Sequence, residues 1–191
     1  MKEPALIEPA AEYEAEYLAM LAEWRATGEK LTPFVLKMDP SDFPGLVAKL
    51  KRYSRGEGIP ASFVPHETYW LVDEDRRILG VVNIRPRLNE SLMVRGGHIG
   101  YGVRPSERGK GCATEMLRLA LEKTKAMGLE RVLLTCDKEN TASARVIVKN
   151  GGVLESEIHL DGAIVQRYWI ELHPPRAAAE RKSIDAIVPS E

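Results

Sequence analysis

The chain has 191 residues, 44% of them hydrophobic, a length and composition suited to one domain with a single filled core. Its 27 basic and 28 acidic residues nearly cancel, which excludes the global field that draws a protein onto DNA or an anionic membrane. The two cysteines, Cys112 and Cys136, show no CxxC spacing and no clustering with histidine, so no metal site is expected and a reducing compartment fits best.

The start Met1-Lys2-Glu3-Pro4 lacks a basic region followed by an apolar one, and nowhere do eighteen apolar residues run together. A soluble, cytoplasmic protein with no membrane partner is the expectation. Ala5 to Ile7 reads as a first strand. Tyr13, Tyr17, Leu18, Leu21 and Trp24 recur at spacings of three and four, which predicts an amphipathic helix ended by Gly28. Asp39-Pro40-Ser41 offers a second helix start, with Phe43, Leu46, Val47 and Leu50 as its apolar stripe and a loop from Gly56.

Strands are predicted at Thr68 to Val72 and Ile78 to Ile84, joined by a short polar connection that suits an antiparallel hairpin. His98 to Val103 is a third strand of this middle region. Ala113, Met116, Leu117, Ala120, Leu121 and Thr124 share one helix face that Gly128 closes. Val132-Leu133-Leu134 then reads as a strand buried on both faces, and strand, helix, strand in that order require a parallel pair within a mixed sheet. A helix from Ala142 to Lys149 leads through Gly151-Gly152 into strands Val153 to His159 and Ala163 to Leu172, joined at Asp161-Gly162. Pro174-Pro175 stops the last strand, and residues 174–191 form a charged tail to which no function is assigned.

The sharpest local feature is the stretch from Val103 to Thr114, which joins a strand to an amphipathic helix. It contains Arg108, Gly109, Lys110, Gly111, Cys112 and Ala113. A helix N-terminus leaves N–H groups unpaired and carries partial positive charge, the two glycines leave room for a diphosphate to approach, and Arg108 and Lys110 add full charges. Read alone, the segment is also compatible with a glycine-containing loop bearing solvated basic residues. The context narrows the choice, because a buried strand ending in Thr135-Cys136-Asp137 follows and Asn140-Thr141-Ala142-Ser143 opens another helix.

With these residues the chain resembles the GCN5-related N-acetyltransferase (GNAT) superfamily, whose pyrophosphate loop reads Arg or Gln, two residues, Gly, one residue, Gly or Ala. Arg108, Gly111 and Ala113 match that pattern, and the order β-α-α-β-β-β-α-β-α-β-β matches over residues 5–173. The resemblance implies an α/β (α+β) GNAT fold with a mixed sheet of about seven strands and helices on both faces. It also implies acetyl-CoA as cosubstrate, an amine as acceptor and, as is common in the superfamily, a homodimer.

Carried over by position, it implies that backbone groups of Tyr101 and Val103 pair with the pantetheine arm. Residues 108 to 114 would hold the diphosphate, and Asn140 with Ser143 would lie beside the arm, although both are equally compatible with a simple helix cap. Many members carry a tyrosine seven residues after the asparagine as acid for the departing thiolate, whereas here that position is Ile147. An ammonium acceptor must lose a proton before it attacks, so a base is needed. His98 is the first candidate, with Tyr168, Glu67 and Tyr101 weaker ones, and the backbone N–H of Tyr101 is the expected donor to the acyl oxygen. Cys112 and Cys136 read as small packing residues.

The connection from Arg85 to Arg95 is long for a hairpin and contains Arg85, Arg87 and Arg95, which would suit an acceptor bearing an anionic group beside its amine. A solvated loop is the plain alternative. Three other functions compete. A dinucleotide-binding dehydrogenase lacks its third glycine and the length for a second domain. A nucleic-acid module using Arg85, Arg87, Arg95, Arg104, Arg108 and Lys110 lacks interleaved aromatics and net charge. A non-catalytic acyl-CoA sensor of the same fold stays open, as does a protein amine as acceptor.

Overall fold

Why α-helix α2 (Phe43–Ser54) begins where it does is a matter of one carboxylate. Asp42 accepts a hydrogen bond from the N–H of Gly45 at 3.0 Å, and Pro44 sits in the first turn, where its missing N–H costs nothing. Asp39, the expected start, instead turns onto Ser41. In this computed structural model, which describes residues 4–172, the remaining elements follow the expected order with one addition. They are β1 (Ala5–Ile7), α1 (Glu14–Ala26), β2 (Glu67–Val72), β3 (Ile78–Ile84), the added short helix α3 (Glu90–Val94), β4 (Ile99–Val103), α4 (Cys112–Ala126), β5 (Arg131–Asp137), α5 (Thr141–Lys149), β6 (Val153–Leu160) and β7 (Ala163–Glu171). The expected tail lies outside the described residues.

The seven strands form two antiparallel sheets, ordered β1-β2-β3-β4 and β5-β7-β6. The mixed character predicted from the crossover survives only where the two sheets meet. At the start of β4 the N–H of His98 donates to the carbonyl of Leu133 at 2.8 Å, and the N–H of Leu133 donates to His98 Nδ1 at 2.8 Å. Past that point the strands part, because Tyr101 near the end of β4 reaches Ser143, which lies beyond the end of β5. Strands that start together and end beside the same helix run the same way, and no ladder joins them among the described residues.

Alternation along β2 and β3 fills two cores. Trp70, Val72 and Val81 meet Tyr17, Leu21 and Phe43 from α1 and α2 on one face, while Leu71, Val82 and Ile84 meet Met116, Leu117 and Ala120 of α4 on the other. Each such large side chain contributes about 1.5–3 kcal/mol. The four-stranded sheet is therefore held rigid from both sides, and β4 is its edge.

β4 reads Ile99-Gly100-Tyr101-Gly102-Val103, and its glycines have a packing reason. A Cβ on Gly102 would lie 2.1 Å from the carbonyl of Thr32 and 2.5 Å from the Trp24 ring, so only glycine lets the connection after α1 lie against this strand. Buried Arg104, just after β4, pairs with Glu16 at 3.0 Å and Glu23 at 2.6 Å, tying the strand's end to α1. That gives Arg104 a structural role rather than a place in a basic surface.

Candidate active site

Hydrogen bonding along β4 decides which backbone groups are available. Arg85 N–H donates to His98 O and Arg104 N–H donates to Leu79 O, so the even positions face β3. In an antiparallel ladder the odd positions then face outward, which turns the N–H and C=O groups of Ile99, Tyr101 and Val103 toward the gap between the sheets. Arg108 Nε occupies one of these, the Val103 carbonyl, at 3.3 Å.

At the far end of this gap α4 begins. Gly111 is its N-cap at φ 86°, and no side chain caps the helix. The N–H groups of Cys112, Ala113 and Thr114 therefore lie in the first turn, where no intrahelical acceptor exists. Gly109 has φ 75°, and nothing lies within 4 Å of a Cβ built on either glycine. The sequence reading gave these glycines the task of leaving room, yet it is the left-handed backbone that requires them here. The two charges are also engaged. Arg108 forms a two-point pair with Glu29 at 2.9 and 2.7 Å and lies 5.4 Å from the Trp24 ring, and Lys110 reaches Glu107 at 3.0 Å. Arg108 holds the Glu29 carboxyl below its usual range.

Between β4 and α5 runs a cleft of about 370 Å³, walled by Tyr101, Val103, Arg108, Ala113, Asn140 and Ser143 with Trp24 and Thr32 opposite. It continues into a space of about 280 Å³ that shares Lys30 and adds Arg85, Arg95, Cys136 and Asp137. Asn140 caps α5 by accepting from Ser143 N–H at 3.1 Å, so the capping role holds, while both residues also line the cleft. The Ser143 and Tyr101 hydroxyls lie 2.9 Å apart. Burial pushes the Tyr101 phenol up to about 12 and the Cys136 thiol up to about 11, so both stay protonated at neutral pH. Cys136 fits the packing role, with one side open to the cleft.

Two of the candidate catalytic side chains are not brought here. His98 is buried between the sheets with Nδ1 committed to the Leu133 N–H, and burial drops its pKa to about 4. It is a neutral structural link, not a base facing the cleft. Tyr168 packs in the core with its hydroxyl on Gln166 at 2.7 Å, and burial raises its pKa. The weaker candidate Glu67 takes the Tyr69 hydroxyl in a separate hollow beside Glu8 and Arg55.

The three arginines expected to act together separate. Arg87 is exposed and lines neither cavity of the cleft. Arg95 makes a two-point pair with Asp137 at 2.7 and 2.9 Å. Arg85 is the unusual one: it is 8% exposed, and among the described residues its side chain donates only to the carbonyls of Gly96 and Gly97 and has no carboxylate partner. Burial pulls its pKa down to about 10, which leaves it charged at neutral pH. A desolvated cation without an anion is costly. The cleft wall contributed by Trp24, Glu29, Lys30, Thr32 and Phe34 was not foreseen, although the alternating glycines of β4 were its signal.

A free strand edge offering peptide groups, leading to an unpaired helix N-terminus behind two left-handed glycines, fits an extended amide-bearing arm that ends in a diphosphate. Comparison with known proteins agrees. Residues 6–153 match the model of an acetyltransferase (GNAT) domain. The ribosomal L7/L12 alpha-N-protein acetyltransferase RimL, solved in complex with coenzyme A, superposes with a TM-score of 0.65 at 16% identity, covering 90% of this chain and 95% of that one. The microcin C7 self-immunity acetyltransferase MccE, solved with acetyl-CoA and AMP, gives 0.64 at 18% identity, with 90% and 93% covered. The spermidine/spermine N-acetyltransferase SpeG from Vibrio cholerae, in mutant forms, gives 0.60 at 15% identity, with 89% and 95% covered. No curated protein matches the chain by sequence search. A domain match over most of the chain, on a fold whose cleft lies between two diverging strands, means that this protein belongs to the GNAT acetyltransferase family.

Proposed function

We propose that this protein is an acetyl-CoA-dependent N-acetyltransferase acting on the primary amine of a small molecule that also carries an anionic group, by direct attack in a ternary complex. The observation that supports this best is the convergence in one cleft of the free edge of β4, the glycine turn opening α4, and the Tyr101–Ser143 hydroxyl pair. Acetyl-CoA supplies the activated acyl group. The backbone from Gly109 to Thr114, with Arg108 and Lys110, holds the diphosphate, and the outward peptide groups of Tyr101 and Val103 pair with the pantetheine arm alongside Asn140 and Ser143. The Tyr101 N–H is the donor for the acyl oxygen as charge develops there.

The departing thiol has an ordinary pKa near 8.5, so it leaves without full protonation, and the Ser143 hydroxyl, held by Tyr101, can donate to it. With His98 outside the cleft, the ammonium sheds its proton through water in the open cleft. The kcat/KM for the amine is then expected to keep rising through pH 8–9 toward the amine's own pKa, with no plateau near 6.5 from a histidine. Lys30, Arg85 and Arg95 against Asp137 give the acceptor end a positive balance, which favours an anionic group beside the amine and opposes a polyamine.

Thiol release from acetyl-CoA, measured across amino acids, their amides, spermidine and a peptide with a free N-terminus, tests this reading. Free amino acids are expected to react best, and Arg85→Gln is expected to lower their kcat/KM about a hundredfold, or ~2.7 kcal/mol, while the amides change little. A cleft with no histidine among the described residues is also what a non-catalytic acyl-CoA sensor would have. Stabilisation by acetyl-CoA with no release of free CoA from any amine would establish that reading instead.

A further inference from the structure

Beyond Arg85, away from α5, lies a smaller hollow of about 120 Å³. Phe34, Phe63, Val64 and Leu92 form its apolar walls, and His66 and Arg85 border it with two serines. Phe34 and Arg85 also line the cleft, so these two side chains border both spaces. The walls are fixed by edge-to-face contacts, with the Phe34 ring 5.1 Å from both Phe63 and His66 at interplanar angles of 89° and 87°.

His66 sets the charge of one wall. It is 2% exposed, and its Nδ1 lies 3.1 Å from the Asn83 amide nitrogen, a group that can only donate. The ring proton therefore sits on Nε2, which has no partner. Burial and the charge of Arg85 push the His66 pKa down to about 4, so the ring is neutral. Nε2 is itself shut off from solvent, so His66 gives the hollow a neutral ring wall rather than an open donor.

We propose that this hollow is the acceptor's side-chain subsite, taking an uncharged side chain of leucine or methionine size while Arg85 at its mouth pairs with the acceptor's carboxylate. The proposal rests on the reading of the cleft as the place of acyl transfer. The size follows from the volume, somewhat below the roughly 150 Å³ of an engineered cavity that takes benzene. The charge follows from the walls: a cationic side chain would be desolvated beside Arg85, and an anionic one would compete with the carboxylate for it.

Calorimetry on the full chain with saturating CoA, titrated with glycine, leucine, methionine, lysine and glutamate, reads the subsite without requiring turnover. Leucine and methionine are expected to bind at least about tenfold more tightly than the other three. Leu92→Trp, which fills the hollow, and Phe63→Ala, at a side chain 39% exposed, are each expected to bring the leucine-to-glycine affinity ratio close to one. Equal affinities for leucine and glycine, no binding of either, or a ratio that survives both substitutions would overturn the proposal. Selective leucine binding with no CoA released from acetyl-CoA would sink the transfer reading and leave the subsite standing. Equal acetylation of all five amino acids would do the reverse.

Discussion

His98, just before β4, and Tyr101, at its centre, are three residues apart in sequence and opposite in design. At His98 the strand is locked to β5 by a backbone bond and a side-chain imitation of one, both at 2.8 Å. At Tyr101 it meets the other half of the molecule through its side chain, whose hydroxyl pairs with Ser143, and leaves its peptide groups facing the cleft. The lesson is that a lasting gap between two strands needs a fixed vertex. The closed end carries the strain and the buried groups, so that the open end can stay unpaired without the sheets zipping together.

The sharpest way to break that contrast is at the vertex. Gly97 has φ 62°, and a Cβ there would lie 2.2 Å from the Leu133 carbonyl. Gly97→Ala is therefore expected to cost about 4 kcal/mol or prevent folding, because the neighbour is backbone and cannot yield. Gly109→Ala at the open end shares the left-handed backbone but meets nothing within 4 Å, and about 1–2 kcal/mol is expected. Urea unfolding of the two variants reads the difference directly, and similar losses at both positions would contradict the idea of a fixed vertex.

Next in size is the effect of acid. A histidine whose pKa falls from 6.5 to about 4 on folding binds fewer protons in the folded chain, so stability rises with pH between those values and is fully present above them. His98 alone is expected to remove up to about 3 kcal/mol by pH 4. His66, also lowered to about 4, adds a term of the same sign. His98→Asn should flatten part of this slope in unfolding experiments at pH 4.5–7.5 while leaving the pH profile of kcat without the loss expected for removal of a base. A profile that collapses on this substitution would return His98 to catalysis.

At the open end the effects are smaller. Ser143→Ala removes the hydroxyl that Tyr101 positions, and about a tenfold fall in kcat is expected, near 1.4 kcal/mol, with KM for acetyl-CoA little changed. Ser143→Thr, which keeps a hydroxyl, should retain more activity than the alanine variant. Equal losses in both would mean that the residue only packs.

These differences also mark how far the sequence could be read. Periodicity placed the seven strands and helices α1, α4 and α5 closely, because alternation along β2 and β3 and the stripe on α4 reflect burial on defined faces, but it set the start of α2 too early and missed the short α3. It also located the helix start at Gly111, where the glycines and the following apolar stripe are adjacent in the chain. What it could not supply was distance across the chain. Nothing local distinguishes a histidine lining a cleft from one whose Nδ1 is taken by the Leu133 N–H, since that partner lies 35 positions away. Arg85, Arg87 and Arg95 looked alike for the same reason, and only burial, exposure and the Asp137 pairing separate them. Trp24 was read only as part of a helix stripe and Glu29 had no reading, yet they close the cleft against Arg108.

That last contact yields the smallest effect, and it concerns what Arg108 does before a ligand arrives. Its guanidinium is held by Glu29 at 2.7 and 2.9 Å and lies against Trp24, close to the unpaired start of α4. A bound diphosphate would compete with that carboxylate for the same donors. Exposed pairs of this kind are worth about 1 kcal/mol or less, so Glu29→Gln is expected to change acetyl-CoA affinity by no more than about fivefold. The direction is the informative part. If Glu29 only holds a counter-charge, its neutralisation frees Arg108 and tightens binding, and the gain shrinks as salt rises because the charges are solvent-exposed. If Glu29 instead orients the guanidinium toward the ligand, the same substitution weakens binding. Calorimetric titration of acetyl-CoA at low and high salt separates the two, and the positive potential already present at the helix start makes tighter binding the expected result.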